Sequence, residues 1–132
     1  MATILIVDDH EVVRRGVRSI LGARPEWEVI AEAANGRDAI EAAKTHRPDV
    51  VILDISMPVM NGLEAAPCIV NLGCRVLVFT MHESKELIAA IRATGAHGFV
   101  QKMQAGGQLI EAIDMCLSGS TFVVSPNPRH TP

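Results

Sequence analysis

Aromatic side chains are nearly missing: the 132 residues include one tryptophan, three phenylalanines and no tyrosine, so each ring has a place to be accounted for. Cysteine is scarce too. Cys68, Cys74 and Cys116 are odd in number and lack C-x-x-C spacing, which disfavours a disulfide framework and a zinc site. They read as small buried residues in a reducing cytoplasm. No apolar run approaches the ~18–20 residues that span a bilayer. Met1–Ala2–Thr3 carries no basic side chain, and the apolar run Ile4–Val7 is too short for a secretory signal. A cytoplasmic chain without a membrane partner is expected. There is no excess of positive charge either. The formal net charge of −3 gives no electrostatic reason for this chain itself to bind nucleic acid.

What is present is one domain's worth of chain, 48% hydrophobic, with a core of ordinary size to bury. Its organising stretch is Val50–Pro58. Four apolar residues, Val50 to Leu53, stop at the carboxylate of Asp54. A short Val- and Ile-rich run of this kind reads as a strand buried on both faces. Pro58 and Asn61–Gly62 then turn the chain.

Four more strands follow the same logic. Thr3–Val7 ends in Asp8–Asp9, Arg75–Thr80 ends in a hydroxyl, and Gly98–Gln101 ends at Lys102. Glu28–Ala33 is weaker and ends in alanines. Between them lie helical patterns. Val13, Val17, Ile20 and Leu21 share one face of a first helix, capped by Asp8 or Asp9 and ended by Gly22 and Pro25. Arg37–Lys44 is the second helix. The third starts near Leu63, with a late start or a kink expected at Pro67, because an interior proline costs ~3 kcal/mol. Ser84 caps the fourth, and Gly107–Leu117 forms the fifth. Residues 1–118 are expected to form the domain, and 119–132 a tail or the opening of a linker.

Five strands alternating with five helices imply an α/β fold. The expected form is a doubly wound, five-stranded parallel sheet of order 2-1-3-4-5, the flavodoxin-like arrangement. All strand ends then share one edge, and Asp8, Asp9 and Asp54 crowd at the switch point between strands one and three. Three carboxylates at close range repel, and a hard divalent cation relieves them. Oxygen ligands with spare positions suit Mg²⁺ or its near relative Mn²⁺. A carboxylate is a competent nucleophile for phosphoryl transfer. Lys102 supplies a point charge and Thr80 a hydroxyl for the transferred oxygens, and such chemistry needs mainly positioning and charge.

The motifs Ile-Val-Asp8-Asp9, Leu-Asp54-Ile-Ser-Met-Pro58-x-x-Asn-Gly62, Val-Phe-Thr80 and Gly98-Phe-Val-Gln-Lys102 together resemble the receiver domain of bacterial two-component response regulators. The resemblance covers roughly Ala2 to Leu117. It implies that Asp54 accepts phosphate from a histidine kinase or a small acyl phosphate. It implies that Asp9 holds the metal directly and Asp8 largely through water, with Asp54 and the Ser56 backbone carbonyl completing the set. Thr80 and Lys102 would bind phosphoryl oxygens, and Phe99 would be the switch aromatic that turns inward as Thr80 moves. Lys102 is followed by Met103 where many receivers have proline. That predicts a trans bond there. This departure, with Asn-Gly-Leu-Glu64, resembles the NarL/FixJ subfamily, whose members usually carry a DNA-binding helix-turn-helix. The resemblance thus implies transcriptional output through a domain outside this chain, and a homodimer as one form of that output.

Two rivals keep the fold and change the chemistry. A phosphate-independent interaction module has no need of all five polar positions. A turnover phosphatase needs a substrate pocket and a dedicated acid–base group, and the sequence offers no second carboxylate near Asp54 at a position typical of such enzymes and no long cap insertion.

Overall fold

A computed structural model describes residues 2–120 and 122–124. The elements, in order, are β1 (Thr3–Val7), α1 (Glu11–Leu21), β2 (Glu28–Ala33), α2 (Gly36–His46), β3 (Val50–Asp54), α3 (Gly62–Asn71), β4 (Arg75–Thr80), α4 (Lys85–Ala93), β5 (Gly98–Gln101), α5 (Ala105–Leu117) and β6 (Val123–Val124). One 3-10 turn, Lys102–Gln104, precedes α5. The strands form one parallel sheet in the order β2-β1-β3-β4-β5-β6. The expected order 2-1-3-4-5 holds, and a sixth, two-residue strand continues it.

Alternation along β3 explains the two layers. Val51 and Leu53 point into a core with Ala39 and Ala43 of α2, Ala65, Ala66 and Ile69 of α3, and Ile91 of α4. Val50 and Ile52 point the other way, among Val17 and Leu21 of α1 and Leu109, Ala112, Ile113 and Cys116 of α5. Every residue of β3 is buried, which is why the strand reads as a continuous apolar run rather than an alternating one. Each fully buried aliphatic contributes ~1.5–3 kcal/mol. Trp27 caps the second core beneath the Arg24 guanidinium, 4.4 Å from its ring. It lies just before Glu28, the residue paired with Thr3 at the amino-terminal end of the strands.

Several local expectations change. Neither Asp8 nor Asp9 caps α1. His10 occupies the cap position without a side-chain bond, because the Asp8 carboxylate turns to the strand edge. α3 starts at Gly62, one residue from the expected Leu63, and Pro67 lies inside it without delaying the start. A capping box decides this: the Asn61 side chain accepts the Glu64 N–H at 2.9 Å, and the Glu64 carboxylate accepts the Asn61 N–H at 3.1 Å. Asn61→Ala is expected to lower stability by about 1 kcal/mol in urea unfolding. α5 begins two residues earlier than its glycines suggest. Cys74 and Cys116 are buried as expected, whereas Cys68 is exposed on α3. No peptide bond among the described residues is cis, so Lys102–Met103 is trans. Of the expected tail, residues 122–124 join the sheet region, and 125–132 lie outside the described residues.

Candidate functional site

Register brings the polar residues together. Val7 pairs with Leu53, so Asp8 and Asp54 sit side by side at the ends of adjacent strands. Asp54 pairs with Phe79, and Thr80 pairs with Gln101. Thr80 and Lys102 therefore complete the same edge, one strand further each time.

The centre is a lysine held by two carboxylates. Lys102 Nζ donates to Asp8 Oδ2 at 2.6 Å and lies 3.3 Å from Asp54 Oδ1. Asp8, Asp54 and Thr80 are the buried polar residues of the described fold. Burial pushes the Asp54 carboxyl above the usual range, and the negative charge of Asp8 pushes it further, while Lys102 pulls the other way. The raised value means that the folded state binds this proton more tightly than the unfolded chain. Asp54 therefore favours folding while protonated, and that contribution is lost as pH rises through its folded pKa. Asp54→Asn is expected to be more stable than wild type near neutrality. The gap should close as pH falls through the raised Asp54 pKa, read by urea unfolding at several pH values. A gap independent of pH would contradict the raised value.

Around this centre, the His10 N–H donates to Asp8 Oδ1 at 2.9 Å. Arg14 braces the corner from α1, donating from its guanidinium to the Asp8 backbone carbonyl at 2.6 Å and to Glu32 Oε1 at 2.8 Å. Thr80 Oγ1 accepts the His82 N–H at 3.1 Å. The floor is Gly62, whose N–H donates to the Ile55 carbonyl at 2.9 Å. Ser56 is exposed in the loop after β3. Phe99 is fully buried in β5, with its ring centroid 6.1 Å from that of Phe122.

The donors suit a hard cation. Asp9 Oδ1 is buried and accepts no hydrogen bond among the described residues. His10 Nδ1 lies 3.0 Å away but does not meet hydrogen-bond geometry. An uncompensated carboxylate oxygen at such a place is costly unless a cation reaches it. Asp8, Asp9 and His10 each bring a ligand atom within 4.8 Å of the others. Asp54 is not in that group; Lys102 Nζ bridges its carboxylate and that of Asp8. An acidic cluster able to hold a metal is therefore present, and oxygen donors dominate it.

The response regulator receiver domain model matches residues 4–114. The chain belongs to that family. It is 36% identical over 127 residues to the response regulator UvrY of Escherichia coli (strain K12), covering 95% of this chain and 58% of that protein. It is 39% identical over 121 residues to the transcriptional regulatory protein LnrK of Bacillus subtilis (strain 168), covering 90% and 55%. It is 35% identical over 120 residues to the nitrate/nitrite response regulator protein NarL of Escherichia coli (strain K12), covering 89% and 56%. UvrY and NarL are of the NarL/FixJ type. A two-component response regulator of the LuxR family from Aurantimonas sp. SI85-9A1 superposes with a TM-score of 0.89 at 35% identity, over 96% of this chain and 91% of that one. The receiver domain spans about half the length of the curated relatives it matches.

Two contributors to the receiver's edge lay outside the motifs: His10 against both aspartates and Arg14 on the Asp8 carbonyl. Arg14 carried a signal, being a cation set among the apolar positions of α1. No helix among the described residues is long and apolar enough to cross a membrane.

Proposed function

We propose that this receiver domain accepts a phosphoryl group on Asp54 and thereby switches a regulatory output. The observation that carries the reading is the shared lysine: Lys102 Nζ sits within hydrogen-bond reach of Asp8 and 3.3 Å from Asp54, so positive charge is already placed where phosphoryl oxygens would arrive. One Asp54 carboxylate oxygen attacks the phosphorus of a histidine kinase phosphohistidine or a small acyl phosphate. A P–O bond to Asp54 forms as the bond to the donor breaks, and the electron pair leaves with the donor.

Asp8, Asp9, Asp54 and the Ser56 backbone carbonyl hold Mg²⁺, or Mn²⁺, which supplies positive charge to the phosphoryl oxygens. Lys102 and the Thr80 hydroxyl bind those oxygens from the opposite side. Thr80 gives up its bond to the His82 N–H to do so, and Phe99 follows into the space vacated. The modified Asp54 carries more charge and more acceptor oxygens, and the population of the output-competent state rises. The protein is modified and reset rather than turning over a substrate. A groove of about 290 Å³ opens beside Lys102, lined by Val13, Ile20, Met81 and Met103. Its apolar rim suits contact with a kinase in the cytoplasm. A homodimer and a DNA-binding output domain outside this chain complete the reading, because relatives of about twice the length are described as transcriptional regulatory proteins.

The test is intact mass after incubation with Mg²⁺ and acetyl phosphate. A gain of about 80 Da per chain that disappears with EDTA is expected. Absence of any gain, from acetyl phosphate and from a phosphorylated kinase alike, would favour the phosphate-independent module.

A further inference from the structure

The chain does not leave the domain at the end of α5. It turns back at Gly119, where φ is +83°, with the Ser120 N–H donating to the Met115 carbonyl at 3.2 Å. Val123–Val124 then lies parallel to β5, with Gly98 opposite Val123 and Phe99 opposite Val124. The β5 edge is covered by this segment. Phe122, just before it, packs against the core that holds Val76, Val78, Ile91 and Phe99. Its ring is tilted 41° to that of Phe99 at 6.1 Å, and the Arg92 guanidinium at the end of α4 lies 4.1 Å from the ring centroid.

Three different interactions thus converge on three residues: backbone pairing, a ring–ring contact and a cation over a ring. The backbone pairing is as short as a strand can be and is hinged on a glycine, so it belongs to the low-stability end of the fold. Its ring contact is with Phe99, three residues before Lys102. Phe99 has no exposed surface, and packed interiors shift between discrete arrangements rather than deform smoothly. Phe99 cannot change its place without disturbing the seat of Phe122.

We propose that Phe122–Val124 is a latch. It is docked on β5 while Asp54 is unmodified and is released when Phe99 moves. Release uncovers the β5 edge. The latch rests on the phosphoacceptor reading above and adds to it the physical route by which the switch reaches the rest of the protein.

Hydrogen–deuterium exchange on the whole chain tests this, with phosphorylation read by intact mass in the same samples. In the unmodified chain, the amides of Gly98–Gln101 are expected to be protected, with those of Phe122–Val124 protected to a lesser degree. Phe122→Ala, without any phosphate, is expected to speed exchange of the Gly98–Gln101 amides about tenfold while leaving the β1 and β3 amides unchanged. Phosphorylation of wild type is expected to speed exchange of both segments by a similar factor. The Phe122→Leu variant, which keeps apolar bulk, should restore most of the protection. A phosphorylated chain that keeps both segments protected would overturn the latch. So would a Phe122→Ala chain whose β5 amides exchange as in wild type, and this arm needs no phosphate. A chain that gains no mass defeats the phosphoacceptor reading, and the release step with it. The Phe122→Ala arm then decides separately whether the segment guards the β5 edge.

Discussion

Asp54→Asn is expected to abolish the gain of about 80 Da, with no residual modification detectable under conditions that convert wild type. The carboxamide has nearly the same shape as the carboxylate, so it keeps the packing at the end of β3. It has no anionic oxygen to attack phosphorus. Lys102 retains its bond to Asp8, at 2.6 Å in the native chain, so the edge keeps an ion pair. Loss of modification would then report loss of the nucleophile rather than collapse of the site. Circular dichroism and urea unfolding of the same sample separate the two. A mass gain that survives the substitution would move the acceptor to another carboxylate, with Asp8 and Asp9 the nearest, and peptide mapping would identify it.

Gly62→Ala is expected to have the largest effect on the fold. A Cβ at this position would overlap the backbone carbonyl oxygen of Asp54 and would stand 2.9 Å from its carbonyl carbon and 3.0 Å from Ile55 Cα. These are backbone atoms of the strand end, not the tip of a flexible side chain, so relief requires α3 to lift away. The helix is anchored there by its capping box and by the Gly62 N–H on the Ile55 carbonyl. Overpacking of this kind costs about 3 kcal/mol or more, at the upper end of such substitutions. For a domain of this size that lowers Tm by roughly 10 °C. Phosphorylation should slow as well, because the displaced carbonyl belongs to Asp54, the proposed acceptor. Gly106→Ala is the control. No atom lies within 4 Å of a Cβ there, and removing a helical glycine is worth about 0.5–1 kcal/mol in the stabilising direction. A Gly62→Ala chain that unfolds like wild type would mean that the loop after β3 is softer than its contacts indicate.

Much of this was legible because strands buried on both faces advertise themselves. The runs ending at Val7, Asp54, Thr80 and Gln101 are short, apolar and stopped by polar residues, and their structural bounds match the reading to within one residue. β2, half-buried along most of its length, was legible as the weaker strand it is. The candidate site followed from topology, since right-handed crossovers send every strand end to one edge. The roles of Asp8, Asp9, Asp54, Ser56, Thr80, Lys102 and Phe99 remain the proposal stated above.

What escaped the sequence has physical causes. The start of α3 near Leu63 was legible, but the late start weighed for Pro67 did not occur, because the capping box of Asn61 and Glu64 holds the first turn in place. Cys68 was read as buried from the habit of its residue type, although α3 turns that position to solvent. β6 is two residues long, too short to show a period of two, and it follows a glycine and serines that read as a loop. The bond of Lys102 to Asp8 crosses 94 residues of chain. No local pattern encodes it, and it appears only once the strands are in register.

The single tryptophan has a practical consequence. Trp27 sits under Arg24 at the amino-terminal end of the sheet, while the acidic edge lies at the carboxyl-terminal end. The Arg24 guanidinium is itself tied to Asp114 of α5 by two 2.8 Å bonds. The one intrinsic fluorophore therefore reports on the integrity of the α1–α5 face, so its emission is a clean gauge of unfolding and a blind one for what binds beside Asp54. An optical signal for the switch has to be introduced, and the exposed side chain of Met81, next in sequence to Thr80, is the natural position for an engineered indole.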